Sequence, residues 1–155
     1  MNVEEMADRL EIEDLLTRYA TAVDTRDWDL YKTVFTADAV IDYTSSGGIR
    51  GGLDEVTKWL SEVLSLFSMS QHLVTNRDIR VDGDAATSRS YLYNPMATAK
   101  RDGSLELMFV GGYYRDRLRR TAHGWRIAER IEDTAWTSTS PGSSSPPGGR
   151  SDQPG

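Results

Sequence analysis

Residues 69–96 read MSQHLVTNRDIRVDGDAATSRSYLYNPM, two β-rich runs joined by Asp82-Gly83-Asp84. An Asp-Gly pair between two such runs supplies the positive φ that a tight hairpin needs, so strands are expected over 69–81 and 85–96. The pattern repeats downstream. Runs at 105–119 and 125–134 are set off by Arg101-Asp102-Gly103 and His123-Gly124, so everything after Ser68 is expected to form an antiparallel meander.

Upstream of that stretch the periodicity changes. Ile12, Leu15, Leu16, Tyr19, Ala20 and Val23 fall on one helical stripe, which predicts a helix over 3–24 with one buried face. Asp27 can cap a short second helix carrying Trp28, Leu30, Tyr31, Val34 and Phe35. Residues 39–43 alternate as a half-exposed strand, and Gly47, Gly48, Gly51 and Gly52 mark a turn region. Leu53, Val56, Leu60, Val63, Leu64 and Phe67 then outline a third helix. Helices gathered first and strands last define an α+β domain whose helices cover one sheet face. One module is expected over residues 1–136. Residues 137–155, made of Ser, Thr, Pro, Gly and a few charges, are expected to be a disordered tail.

Composition narrows the function classes. The net charge of −6 without a block of like charges argues against nucleic acid or an anionic membrane as the partner. The chain has no cysteine and only two histidines, not at ligand spacing, so no metal site and no thiol nucleophile is expected. Gly47-Gly48-Ile49-Arg50-Gly51-Gly52 lacks the Lys-Ser/Thr of a phosphate loop, and no cofactor motif remains. The acidic start and the lack of any apolar run near the roughly 20 residues of a membrane span point to a soluble, unexported, cytoplasmic protein. A neutral organic ligand fits this balance.

His123 falls in a hairpin turn, where exposure is expected. His72 lies in the run 69–81 on the same face as Val74, either as a satisfied polar core residue or as a base. Asp24, closing the first helix, is a surface acid, a cap for the next turn, or the partner of His72. In the last case the carboxylate would hold one ring nitrogen and leave the other free to take a proton. Tyr19, Tyr43, Tyr91, Tyr93 and Tyr113 fall on faces able to point inward, and Tyr19 and Tyr43 are the candidates to steady charge on a substrate oxygen. Arg130 faces either the same cavity or the wet side of the sheet.

The stretch Tyr19-Ala20-Thr21-Ala22-Val23-Asp24-Thr25-Arg26-Asp27-Trp28-Asp29, with Ile41-Asp42-Tyr43, Ser70-Gln71-His72 and Gly124-Trp125-Arg126-Ile127, resembles the SnoaL-like family of the nuclear-transport-factor-two-like (NTF2-like) superfold. Scytalone dehydratase, hexachlorocyclohexane dehydrochlorinase and bile-acid dehydratases are relatives in that family. The resemblance implies a cone-shaped half-barrel of three helices on a curved, mainly antiparallel sheet, commonly assembled as a trimer. It also implies a cofactor-free lyase whose base is a histidine paired with an aspartate, here His72 and Asp24, 48 positions apart. Tyr19 and Tyr43 match pocket tyrosines, and Arg130 falls near the pocket arginine of the dehydrochlorinase and bile-acid enzymes.

The expected activity is removal of a carbon-bound proton by His72, oriented by Asp24, with loss of water or another small leaving group from a hydrophobic, cyclic substrate. Val23, Phe35, Leu64, Met108, Val110 and Arg130 are expected to bind that substrate. Isomerisation or cyclisation of a polyketide or steroid-like molecule, and noncatalytic binding of a small molecule, are the alternatives. A homo-oligomer, in first place a trimer, is the expected assembly.

Overall fold

A computed structural model describes residues 1–141. Helix α1 spans Val3–Thr25; the Asn2 side chain accepts from the Glu5 N–H at 2.8 Å, and Arg26 ends the helix in the left-handed region at φ 59. Ile12, Leu15, Leu16, Tyr19 and Val23 of its apolar stripe are buried in the core, while Ala20 is only partly buried and Ala22 takes a place there instead. Helix α2, Trp28–Lys32, is capped by Asp27, whose carboxylate accepts from the Leu30 N–H at 2.9 Å.

α2 stops short of Val34 and Phe35, which sequence periodicity had joined to it. Strand β1 already begins at Phe35 and runs Phe35–Asp42. The reason is tertiary: β1 pairs in parallel with the last strand, and the Ile127 N–H donates to the Val34 carbonyl at 3.0 Å. Strand β2, Arg50–Gly52, forms from the glycine-rich turn region and pairs antiparallel with β1. Helix α3 spans Leu53–Leu64.

The remaining strands are β3 (Met69–Ser70), β4 (Leu73–Asp82), β5 (Ala85–Ala99), β6 (Leu105–Thr121) and β7 (Gly124–Pro141). The sheet order is β2-β1-β7-β6-β5-β3, with β4 also pairing β5. The meander from β4 to β7 is antiparallel as expected, and β1 makes the sheet mixed. Three helices thus pack on a curled sheet as an α+β half-barrel, with one hydrophobic core between the layers.

Two expectations need correction here. β7 continues to Pro141, pairing with β6 as far as Glu106, so the ordered domain extends past residue 136. The rest of the expected tail, 142–155, lies outside the described residues. Tyr91 and Tyr93 stand on the outer face of the sheet and are exposed, with Tyr113 edge-on to Tyr91 beside them. The inward row of β6 runs through Val110, Tyr114, Asp116 and Leu118. Because side chains alternate along a strand, choosing Tyr113 over its neighbour selected the wrong face.

β7 carries an irregularity that positions the site. Trp125 and Ile127 face the core, and strict alternation would send Arg130 and Glu132 outward. A register shift opposite Arg117 and Leu118 inserts one residue at Ala128, turning Arg130 and Glu132 inward instead. A second shift falls at Gly111 and Gly112, where a Cβ on Gly112 would lie 2.3 Å from the Asp133 carbonyl oxygen, so that bulge requires glycine.

Candidate active site

The last turn of α1 delivers Asp24 to the gap between β3 and β4. The expected strand over 69–81 is interrupted there, because Gln71 and His72 leave the ladder. The His72 backbone N–H donates to Asp24 Oδ2 at 2.8 Å. The imidazole Nδ1 meets Asp24 Oδ1 at 2.6 Å, and Ser70 Oγ donates to the same oxygen at 3.1 Å. Arg26 Nη1 donates to Ser70 Oγ and to the Val23 carbonyl, both at 2.7 Å, bracing the helix end against β3.

Of the readings open for Asp24, the geometry realises the partner of His72. The side chains are 6% and 23% accessible for His72 and Asp24. Burial pushes the Asp24 carboxyl up, but the His72 ring, the His72 N–H and Ser70 outweigh it and hold the acid below its ordinary range. With Nδ1 engaged by a carboxylate, Nδ1 carries the hydrogen and Nε2 is left as the basic nitrogen.

The shift has a pH consequence. A depressed carboxyl contributes stability that is complete above the unfolded value, about 3.8, and is lost as pH falls through the lower folded value. Urea midpoints of wild type and Asp24→Asn should therefore differ near pH 7 and draw together as pH falls below about 3.8. A gap that stays constant as the acid range is entered would count against a native-state carboxylate held by these bonds.

His72 lines a cavity of about 240 Å³ between α3 and the inner sheet face. Its polar lining is Tyr19, Tyr43, Ser46, Asn94, Tyr114 and Glu132 together with His72. Trp59, Leu60, Leu64 and Phe67 close one side, and Met96, Met108 and Val110 the other. Leu64, Met108 and Val110 thus stand where the sequence reading put them.

Val23, Phe35 and Arg130 do not line the cavity. Val23 is fully buried in the core, and Phe35 packs on Tyr31 with ring centroids 5.0 Å apart. Arg130 lies beneath the tyrosines, fully buried and paired with Asp116 through two hydrogen bonds of 2.7 Å. Burial pulls its guanidinium down, but Asp116 prevails and keeps it charged. Its Cζ sits 4.1 Å from the Tyr19 ring centroid and 4.0 Å from that of Tyr114, a cation stacked between two phenols.

Above that cation runs a chain of four phenols. Tyr31 meets Tyr43 at 3.2 Å, Tyr43 meets Tyr19 at 3.0 Å, and Tyr19 meets Tyr114 at 3.1 Å. Four hydroxyls bring four hydrogens to three links, so one is left over. Tyr31 is fully buried and does not reach the cavity, so the spare hydrogen belongs to Tyr43, Tyr19 or Tyr114, all of which do. Burial raises all four phenols above their ordinary value, keeping them protonated donors.

Sequence reasoning did not single out Tyr31, Trp59, Asn94, Tyr114 or Glu132. Asn94 carried a signal: an amide between Leu92 and Met96 in an inward-facing row is a polar break in an apolar stripe. Glu132 shares a face with Arg130 by simple alternation. His123 stands exposed in the β6–β7 turn, as expected.

This arrangement, an acid–histidine pair beside an apolar cavity inside a half-barrel, defines an NTF2-like α+β cone-fold protein. Residues 4–131 match the model of the SnoaL-like domain, and the chain belongs to that family. The protein Rv2910c of Mycobacterium tuberculosis is 44% identical over 132 residues, which cover 85% of this chain and 88% of that one. The crystal structure of Kfla4162 from Kribbella flavida superposes with a TM-score of 0.78 at 26% identity, covering 86% and 95% of the two chains. The hexachlorocyclohexane dehydrochlorinase LinA-type3 of Novosphingobium barchaimii shares the fold at 16% identity, with a TM-score of 0.75 over 90% of this chain and 94% of that one. Among the described residues, no helix is long and apolar enough to cross a membrane.

Proposed function

We propose that this protein is a cofactor-free lyase of the dehydratase type, acting in the cytoplasm on a small hydrophobic cyclic substrate. The observation that carries this reading is the 2.6 Å contact of His72 Nδ1 with Asp24 Oδ1 beside a cavity that His72 itself lines. His72 Nε2 takes a proton from carbon next to a carbonyl, and the electrons of that C–H bond form a double bond as the leaving group departs. Asp24 stabilises the imidazolium that results. The spare phenolic hydrogen of the tyrosine chain meets the carbonyl oxygen as it gains negative charge, and Arg130 beneath the rings favours that donation.

A cavity of about 150 Å³ accepts benzene, so the 240 Å³ here suits one ring or a small fused pair. The exposed outer sheet face with Tyr91, Tyr93 and Trp136 would bury itself in a homo-oligomer, with a trimer as the assembly we favour. The relationship to a dehydrochlorinase fold is consistent with elimination chemistry. The base is tested by proton exchange: in heavy water, wild type should speed deuterium entry at the α-carbon of cyclohexanone or 1-indanone by about 10²-fold or more over buffer, read by NMR. Exchange at the buffer rate with both ketones would remove the base assignment.

A further inference from the structure

We infer that Glu132 is the general acid of this site, delivering the proton that turns a departing hydroxyl into water, so that the leaving group is a hydroxyl and not a halide. This rests on the lyase reading above and specifies its substrate class.

The bulge at Ala128 turns Glu132 inward as the register partner of Tyr114, and both line the cavity that His72 lines. Glu132 is 8% exposed, and the side chains that hydrogen-bond to it are neutral hydroxyls, Thr134 at 3.5 Å and Ser46. No cation among the described residues comes within ion-pair distance. Arg130, two residues earlier, spends its bidentate face on Asp116. An ionised carboxylate in such a place has lost its water without gaining an ion-pair partner, so burial favours the neutral acid relative to an exposed glutamate.

The groups that face Glu132 act against its burial. Burial raises its carboxyl, and Ser46, His72, Arg130 and Thr134 pull it down without cancelling the rise. The contribution of His72 makes the pair work in sequence. Once the imidazole has gained a proton from carbon, its positive charge makes Glu132 a stronger acid, so the first transfer prepares the second. The balance is complete. The C–H bond breaks toward His72 Nε2, the carbon–carbon double bond forms, and the C–O bond breaks. The oxygen takes the Glu132 proton and leaves as water. Return of the His72 proton to Glu132 resets the site.

A second observation points to the same leaving group. Asn94 is 6% exposed, lines the cavity, and its Oδ1 has no hydrogen-bond donor. A buried carbonyl oxygen left without a donor is costly, and a substrate hydroxyl supplies one where a halide does not.

Two measurements test this. In protein labelled with [δ-13C]glutamate, the resonance absent from Glu132→Gln should titrate above the surface glutamates; titration together with them overturns the proposal. Next, 3-hydroxycyclohexanone and 3-chlorocyclohexanone both eliminate to cyclohexenone. Glu132→Gln should lower the ratio of their rates, hydroxyl over chloride, by about 100-fold. An equal fall with both ketones, or wild type that expels chloride but not water, overturns it. Inertness toward both ketones counts against the lyase reading, and the titration alone then decides the state of Glu132.

Discussion

Replacing His72 by alanine is expected to lower elimination by about 10²–10⁴-fold, the range over which a positioned general base acts. Asp24→Asn should cost about 10²-fold or more, although it preserves the shape of the side chain. The amide cannot stabilise an imidazolium through its charge, and it can present N–H to Nδ1 in place of oxygen, which turns the ring to the wrong tautomer. The loss should appear in kcat with KM little changed, because the dyad acts on the reacting proton and not on the apolar body of the substrate. The double variant should be little worse than His72→Ala alone, since the two side chains act as one unit. Steady-state elimination rates of all three variants on 3-hydroxycyclohexanone provide the check. Wild-type turnover in both single variants would end the base assignment.

The largest stability effect is expected from Asp116→Ala. Asp116 and Arg130 are both buried, their side chains inaccessible, and their two hydrogen bonds neutralise a guanidinium enclosed by the Tyr19 and Tyr114 rings. Removing the carboxylate leaves that cation without a counter-charge in the core. Breaking a buried pair from one side typically costs about 3–5 kcal/mol. Removing both charges at once, with Asp116→Leu and Arg130→Met, should recover most of the loss, because two apolar side chains of similar volume incur no desolvation cost. Urea unfolding of the three proteins measures it. A loss below about 1 kcal/mol in Asp116→Ala would show that the guanidinium finds water or another partner.

Both predictions concern groups whose roles the sequence disclosed unevenly. His72 and Asp24 were recognisable as residue types, through the family spacing and the scarcity of histidine. Leu64 sits on the stripe read for the third helix, and Met108 and Val110, expected as apolar substrate contacts, also line the cavity. Arg130 stood open between cavity and solvent and is in neither. A one-residue bulge reversed its face, and no feature of residues 125–134 announces where β7 pairs out of step with β6. The same bulge brought Glu132 into the cavity. The tyrosine chain was equally hidden, because its members come from α1, α2, the end of β1 and β6, and a hydroxyl's partner follows from packing and not from its neighbours in sequence.

What the sequence determined by itself was periodic: helices first, strands after, an apolar face on each, and turns where Asp-Gly and His-Gly permit positive φ. Those features arise from local sterics and from the burial of apolar stripes, both of which act over a few residues. Tertiary structure alone decided the parallel pairing of β1 with β7, the break at His72 that lets its backbone and ring grip one carboxylate, and the inward turn of Arg130 and Glu132. Each depends on a long-range hydrogen bond or register whose energy belongs to two segments at once, so neither segment read alone contains it.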